Sequence, residues 1–310
     1  MRRRRKPKLT QRVLYALART VLFVVARLPE RVGYGATAAL ANLFMFVSPS
    51  RMRLGLANLE LAFPRASSSL TERQRRRMVR GGVVSAFQNV IDLEYATRLM
   101  RKGRMLERID TSQLSAMVPT GGFFGLTLHL GSWEVAAAVI ASVRHQVHVV
   151  GRLPRNPLMA DYLRRQREAF GVLVHERRGA MRHIARALHA GGAVLHATDQ
   201  NQRLRGVFAP YFGRMASSER GPATLAVRRG YPIRLGVCVR RGSRFRFELV
   251  VGAPIEVART GDLAVDVRAT VAHIHAVAEN LVRRHPEQYL WVHDRYRTRP
   301  PDERATPSGS

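Results

Sequence analysis

Hydrophobic and polar positions fall into three regimes along the 310 residues. Val13 to Leu28 and Gly33 to Val47 are mostly apolar and predict two helices. A polar, amphipathic stretch follows, predicting a long helix from about Thr71 to Met100 with Ser69 and Glu72 as its capping box. From Phe123 onward, short apolar runs bounded by glycine alternate with helical patterns. Strands are predicted at Phe123 to Leu128, His148 to Arg152, Val172 to His175 and Ala193 to Ala197, with helices from Trp133, over Pro157 to Phe170 and over Ala180 to His189. Ser217 or Ser218 is expected to cap a helix over Gly221 to Arg229, followed by strands Ile233 to Arg240 and Phe245 to Val251. Val265 to Arg284 and Pro286 to Arg297 then read as helices. Strand and helix in alternation with short connections predict an α/β fold, a mixed, mainly parallel sheet flanked by helices, preceded by an N-terminal membrane-associated helical arm. The expected divisions are residues 1–48 for the basic tail and arm, 49–300 for the catalytic domain and 301–310 for a disordered tail.

Within this pattern, Gly121 to Ala138 places one histidine and one glutamate where a strand hands over to a helix. Gly131 and Ser132 break the apolar run, and Ser132 is a good N-cap for the helix at Trp133. His129 and Glu134 are five residues apart. On one helix that separation is about 500°, so the two can meet only if the chain turns between them. The turn makes a dyad possible, in which Glu134 orients one ring nitrogen of His129 and leaves the other free as a base. Spacing alone equally allows a histidine satisfied by a carbonyl and a solvated first-turn acid. Sites in such sheets lie at the carboxyl ends of strands, and His129, Arg152 and Asp199 each follow a predicted strand end. Asp199 is expected to pair with Arg167 or Arg152.

Charge changes the picture more than composition does. Lysine and arginine outnumber aspartate and glutamate by 52 to 22, a net charge of +30 that calls for a polyanionic neighbour. Nucleic acid is disfavoured, because aromatic residues make up only 7% and no recognisable nucleic-acid motif is present. The basic tail, Met1 to Lys8, runs into the apolar Val13 to Leu28, which Arg12, Arg19 and Arg27 interrupt at spacings of 7 and 8. A central arginine costs a spanning helix about 2.5–3.5 kcal/mol, so an interfacial or tilted helix on an anionic membrane surface is expected, its arginines at lipid phosphates. The one cysteine, Cys238, excludes an internal disulfide and reads as a buried, inert thiol on the cytoplasmic side. Gly33, Gly35 and Ala38 match a dinucleotide fingerprint, but no strand precedes them. No P-loop, nucleophile elbow or zinc spacing occurs, and no cofactor or metal is expected.

The stretch HLGSWE resembles the His-x4-Asp/Glu motif of the glycerolipid acyltransferase superfamily, in the form carried by the late acyltransferases of lipid A biosynthesis. NLELAFP at Asn58, GRLPRNPLM at Gly151, ATDQN at Ala197, VFAPYFG at Val207 and PEQYLWVHDRYRTRP at Pro286 follow in the same order. Ser132 stands where that family usually has asparagine, and Asn201 where an acidic residue is common. The resemblance implies an O-acyltransferase that moves a fatty acyl chain from acyl carrier protein, or acyl-CoA, to a hydroxyl of a glycolipid acceptor, a lipid A precursor. His129 and Glu134 would be catalytic, and Arg152, Arg167, Asp199 and Ser132 would meet substrate. The expected location is the cytoplasmic face of the inner membrane. Other acceptors, such as a phosphatidylinositol mannoside or an amino lipid, fit the same chemistry.

Overall fold

A computed structural model describes residues 7–144, 147–151, 153–176 and 180–304. Four helices lead: α1 (Leu9–Arg27), α2 (Glu30–Phe46), α3 (Pro49–Ala62) and the long α4 (Glu72–Met100). The α4 capping box is Thr71 with Gln74, not the expected Ser69 with Glu72. The Thr71 hydroxyl accepts the Gln74 N–H at 3.3 Å, and the Gln74 side chain accepts the Thr71 N–H at 2.8 Å.

The remaining elements are β1 (Ile109–Asp110), α5 (Leu114–Met117), β2 (Phe123–Thr127), α6 (Trp133–Val143), β3 (Val147–Gly151), α7 (Pro157–Glu168), β4 (Val172–Glu176), α8 (Ala180–His189), β5 (Ala193–Ala197), β6 (Val207–Tyr211), β7 (Arg214–Ser218), α9 (Gly221–Arg229), β8 (Ile233–Arg240), β9 (Phe247–Val251), α10 (Leu263–Arg284) and α11 (Pro301–Arg304). Seven strands form one sheet in the order β1-β9-β8-β2-β5-β3-β4. Every neighbouring pair is parallel except β8 with β9. Successive residues of β2 face opposite sides. Phe123 joins the apolar layer with α4 and α6, whereas Phe124 and Leu126 join the layer with α8, α9 and α10. The α/β class and the mainly parallel sheet are those expected from the alternation of elements.

Three local expectations are corrected. Ser217 and Ser218 lie in β7, which pairs antiparallel with β6, and α9 starts without a side-chain cap. Phe212 and Gly213 between the strands have φ of 48° and 74°, the paired left-handed residues of a tight hairpin turn. Pro286–Gln288 is a single 3₁₀ turn, after which the expected helix to Arg297 gives way to irregular chain. Tyr289 and Trp291 are buried in the core there. Finally, Pro301–Arg304 is helical where a tail was expected to begin, and residues 305–310 lie outside the described ones, as do residues 1–6 of the basic tail.

The irregular segment lies directly on α4. A methyl group at Gly82 would stand 1.8 Å from the Tyr289 carbonyl oxygen, and one at Gly81 would stand 2.5 Å from that of Glu287. Backbone cannot yield as a side chain tip can, so Gly82→Ala should destabilise the protein by about 1–3 kcal/mol. Thermal melting checks this: an unchanged midpoint would show that the segment is not seated there.

Arm and core are packed together: α1 touches α4 and α7. Arg19 pairs with Glu94 of α4 at 3.0 Å and lies over the Tyr162 ring of α7, while Arg27 lies over Phe23. Arg19 is therefore engaged within the protein rather than held out for phosphates, whereas Arg27 stays exposed and lies along its own helix. The face they leave outward carries exposed Val13, Leu14, Leu17, Val21 and Val24, and α2 adds Leu40, Leu43 and Phe46. Helix α1 is long and apolar enough to cross a membrane.

Candidate active site

The register of β2 against β5 brings the principal groups together. Thr127 pairs with Ala197, each the last residue of its strand. Two residues beyond each lie His129 and Asp199. The His129 Nδ1 is 2.7 Å from Asp199 Oδ1, and the His129 backbone N–H donates to Asp199 Oδ2 at 2.8 Å. One carboxylate thus fixes both the ring and the main chain of the histidine. The far ring nitrogen, Nε2, lies 3.1 Å from the Gln200 side-chain nitrogen. With Nδ1 donating its proton to Asp199, Nε2 carries the lone pair and accepts from that amide.

Electrostatics follow from this pairing. Burial disfavours the imidazolium, but the charge of Asp199 and its hydrogen bond outweigh burial and raise the His129 pKa above its ordinary 6.5. Burial likewise works against the Asp199 carboxylate, yet His129 at 2.7 Å holds its pKa below the ordinary value.

The turn that leads from His129 into α6 needs its glycine. Gly131 has φ of 63°, and a methyl group there would lie 2.1 Å from the Cys238 carbonyl oxygen. Cys238 is buried and its thiol is pushed far up by burial, the inert thiol expected. Ser132 caps α6 through its hydroxyl, which accepts the Val135 N–H at 3.4 Å and donates to Asn89 of α4 at 2.8 Å. Ser132 is fully buried, with its hydroxyl on Asn89. The Gly131 and Ser132 amides are also committed, to the carbonyls of Gln288 and Cys238.

Glu134 does not meet the histidine. Its two oxygens take Nε and a terminal nitrogen of Arg167, at 2.9 and 2.5 Å, in a fork-to-fork pair between α6 and α7. The expected His129–Glu134 and Asp199–Arg167 pairings are therefore exchanged: histidine with Asp199, glutamate with Arg167. Arg152 lies outside the described residues.

His129, Trp133, Glu134, Arg167 and Gln200 surround one end of a cavity of about 250 Å³ that continues between the sheet and α6. The irregular C-terminal segment holds the loop at this end. Leu290 donates to the His129 carbonyl at 2.9 Å, His293 Nε2 accepts the Asn201 N–H at 3.1 Å, and buried Arg295 donates to the carbonyls of Gln200 and Ser217 at 3.2 and 2.6 Å. Sequence reasoning missed Gln200, Asn89, His293 and Arg295 as site components. The strings ATDQN and PEQYLWVHDRYRTRP had flagged three of the four as motif members without indicating that the two strings touch. Among the described residues, no group of three or more histidine, cysteine, aspartate or glutamate side chains could hold a metal ion.

The sequence profile of the bacterial lipid A biosynthesis acyltransferases matches residues 1–298. The chain is 28% identical over 289 residues to the lipid A biosynthesis lauroyltransferase of Escherichia coli K12, covering 90% of each protein. It is 25% identical over 255 residues to the lipid A biosynthesis palmitoleoyltransferase of the same organism, covering 82% of this chain and 81% of that one. A lipid A biosynthesis acyltransferase of Shigella flexneri matches at 25% over 255 residues. The chain therefore belongs to the bacterial lipid A biosynthesis acyltransferase family, and it is an O-acyltransferase.

Proposed function

We propose that the protein transfers a fatty acyl chain from an acyl carrier protein thioester to a hydroxyl of a lipid A precursor, with His129 as the general base. The observation that carries this reading is the orientation of His129 by Asp199, which leaves Nε2, 3.1 Å from the Gln200 amide, as the basic nitrogen of a cavity that Arg167 also lines. The acceptor hydroxyl takes the place of the Gln200 amide and gives its proton to Nε2. Its oxygen then forms the bond to the thioester carbonyl carbon. The tetrahedral oxyanion collapses by breaking the carbon–sulfur bond, and the imidazolium returns the proton to the departing thiolate. Ester and free thiol result, with no acyl-enzyme.

Arg167 is the cation for this site. Glu134 occupies two of its nitrogens, and the third, Nη1, has no partner among the described residues, so it is available to the oxyanion or to an acceptor phosphate. The Trp133 N–H lies in the first turn of α6 and is a second donor to the oxyanion.

Substrate arrives from a membrane on this reading. The outward face of α1 and α2 is apolar, α1 rests on α7, and α7 carries Arg167. An exposed apolar face that size suits the acyl region of an anionic bilayer, with surrounding arginines at its headgroups on the cytoplasmic side of the inner membrane. The test supplies acyl carrier protein thioester and anionic vesicles containing a lipid A precursor, and reads the acceptor's mass. Addition of one acyl group is expected. Replacing Leu14, Leu17 and Phe46 by serine should reduce sedimentation with the vesicles and slow transfer to the vesicle-bound acceptor, while donor hydrolysis is kept. No mass change with the intact protein rejects the acceptor, and undiminished sedimentation of the triple variant rejects the arm as the docking face.

A further inference from the structure

We infer that the closed end of the active-site cavity sets the length of the acyl chain, with Met117 as the stop; this rests on the acyl-transfer reading above. Away from His129 the cavity has no charged lining. Its far end is formed by Met117, Leu195, Ile140 and Leu249, a surface suited to unbranched hydrocarbon. The space exists because side chains are missing from the sheet beneath α6. Gly125 of β2 and Gly236 of β8 lie on that face, opposite Ala136 and Ala137 of α6.

Met117 occupies the gap between the two glycines. A methyl group at Gly236 would meet the Met117 sulfur at 2.8 Å, and one at Gly125 would meet its terminal methyl at 3.4 Å as well as Leu195 Cδ2 at 2.5 Å. The side chain is 2% exposed and comes from the short helix α5, which packs against β8 and β9. It closes the cavity from below. The reacting carbonyl must sit at His129 Nε2, within reach of the attacking oxygen. One end of the chain is thereby fixed by chemistry and the other by Met117, so the number of methylenes between them is fixed too. Methionine is unbranched and deformable, so the stop discriminates neighbouring lengths by lost burial rather than by an abrupt clash.

Each methylene that gains or loses burial changes transfer by about fourfold, from about 0.8 kcal/mol per buried CH₂. The experiment measures kcat/KM for decanoyl, lauroyl, myristoyl and palmitoyl thioesters of acyl carrier protein, with a lipid A precursor in vesicles as acceptor. Met117→Ala should move the optimum to longer chains by about two methylenes, raising the ratio of long to short donor by about tenfold or more. Gly236→Ala should move it the other way, because its methyl group drives the Met117 tip into the cavity. Combining both substitutions should return the profile toward that of the unaltered protein. Gly236→Ala also keeps the test decisive if Met117→Ala does not fold, since the only atom its methyl group meets below 3.4 Å is the flexible Met117 sulfur. Active variants with an unchanged length profile overturn the assignment of Met117. Failure of the unaltered protein to use any of the four thioesters overturns the acyl-transfer reading, and the ruler with it.

Discussion

Replacing Asp199 by asparagine should cost acyl transfer about as much as removing His129 itself, about 10²–10⁴ in kcat/KM. The two oxygens of Asp199 accept from two different N–H groups of His129, one in the ring and one in the main chain. Asparagine offers one oxygen and one NH₂. If the oxygen stays with the main-chain N–H, the NH₂ faces Nδ1 and the ring must move its proton to Nε2, where the lone pair was needed. If the amide is reversed, the NH₂ opposes the main-chain N–H and the turn is disturbed. Either way the base is spoiled, while the isosteric change keeps the volume of the side chain. The pH profile separates this from a structural defect. In the unaltered protein Asp199 raises the His129 pKa, so activity should climb as pH rises through a value above 6.5, where the imidazolium loses its proton. In Asp199→Asn the raising influence is gone and burial alone acts, so the acidic limb should shift to lower pH as the plateau falls. An unshifted limb with an undiminished plateau would show that Asp199 does not orient the base. Glu134→Gln should leave the limb where it is, because Glu134 does not touch the ring.

That exchange of acids shows how far the sequence could be read. The strand before His129, the Ser132 cap and the helix after it were legible, because each is a local pattern of apolar run, glycine and capping side chain. So was the rule that His129 and Asp199 both follow strand ends. Their pairing was not, because it depends on β2 and β5 being sheet neighbours with Thr127 opposite Ala197, and strand order and register are set by packing between distant segments. The turn after His129 and the resemblance of HLGSWE to a His-x4-Asp/Glu motif pointed to Glu134 instead. The same limit hid the C-terminal clamp. Pro286 to Arg297 has the aromatic and basic content of a helix, but Tyr289 and Trp291 are anchored in the core and the chain lies against Gly81 and Gly82, which no local pattern announces. On α1 the arginine stripe was legible, whereas its direction was not: Glu94 and Tyr162 sit more than 70 residues away in sequence and turn Arg19 inward.

Glu134 and Arg167 should show a second large effect, in stability as well as rate. Glu134 retains 9% and Arg167 17% of side-chain exposure, and they form a forked pair. Removing one partner strands the other charge at the cavity wall. For a buried pair that costs about 3–5 kcal/mol, and the exposure left to Arg167 puts Arg167→Ala and Glu134→Gln toward the lower figure. Both single variants should therefore melt earlier and transfer slowly, which alone does not show what the pair is for. Changing both residues, Glu134→Leu with Arg167→Met, removes both charges and keeps most of the volume, so much of the lost thermal stability should return. Activity should not return with it. A guanidinium lining the cavity supplies positive charge that a methionine cannot, and lysine at 167, a point charge without the fork, should recover only part of the rate. If the apolar double variant melts near the unaltered protein yet transfers acyl chains at its full rate, the pair is a structural tie between α6 and α7, and the cation that meets the oxyanion or the acceptor phosphate must be sought elsewhere on the cavity rim. If stability recovers while transfer stays lost, Arg167 is acting on the reacting groups, and Glu134 is the residue that aims it.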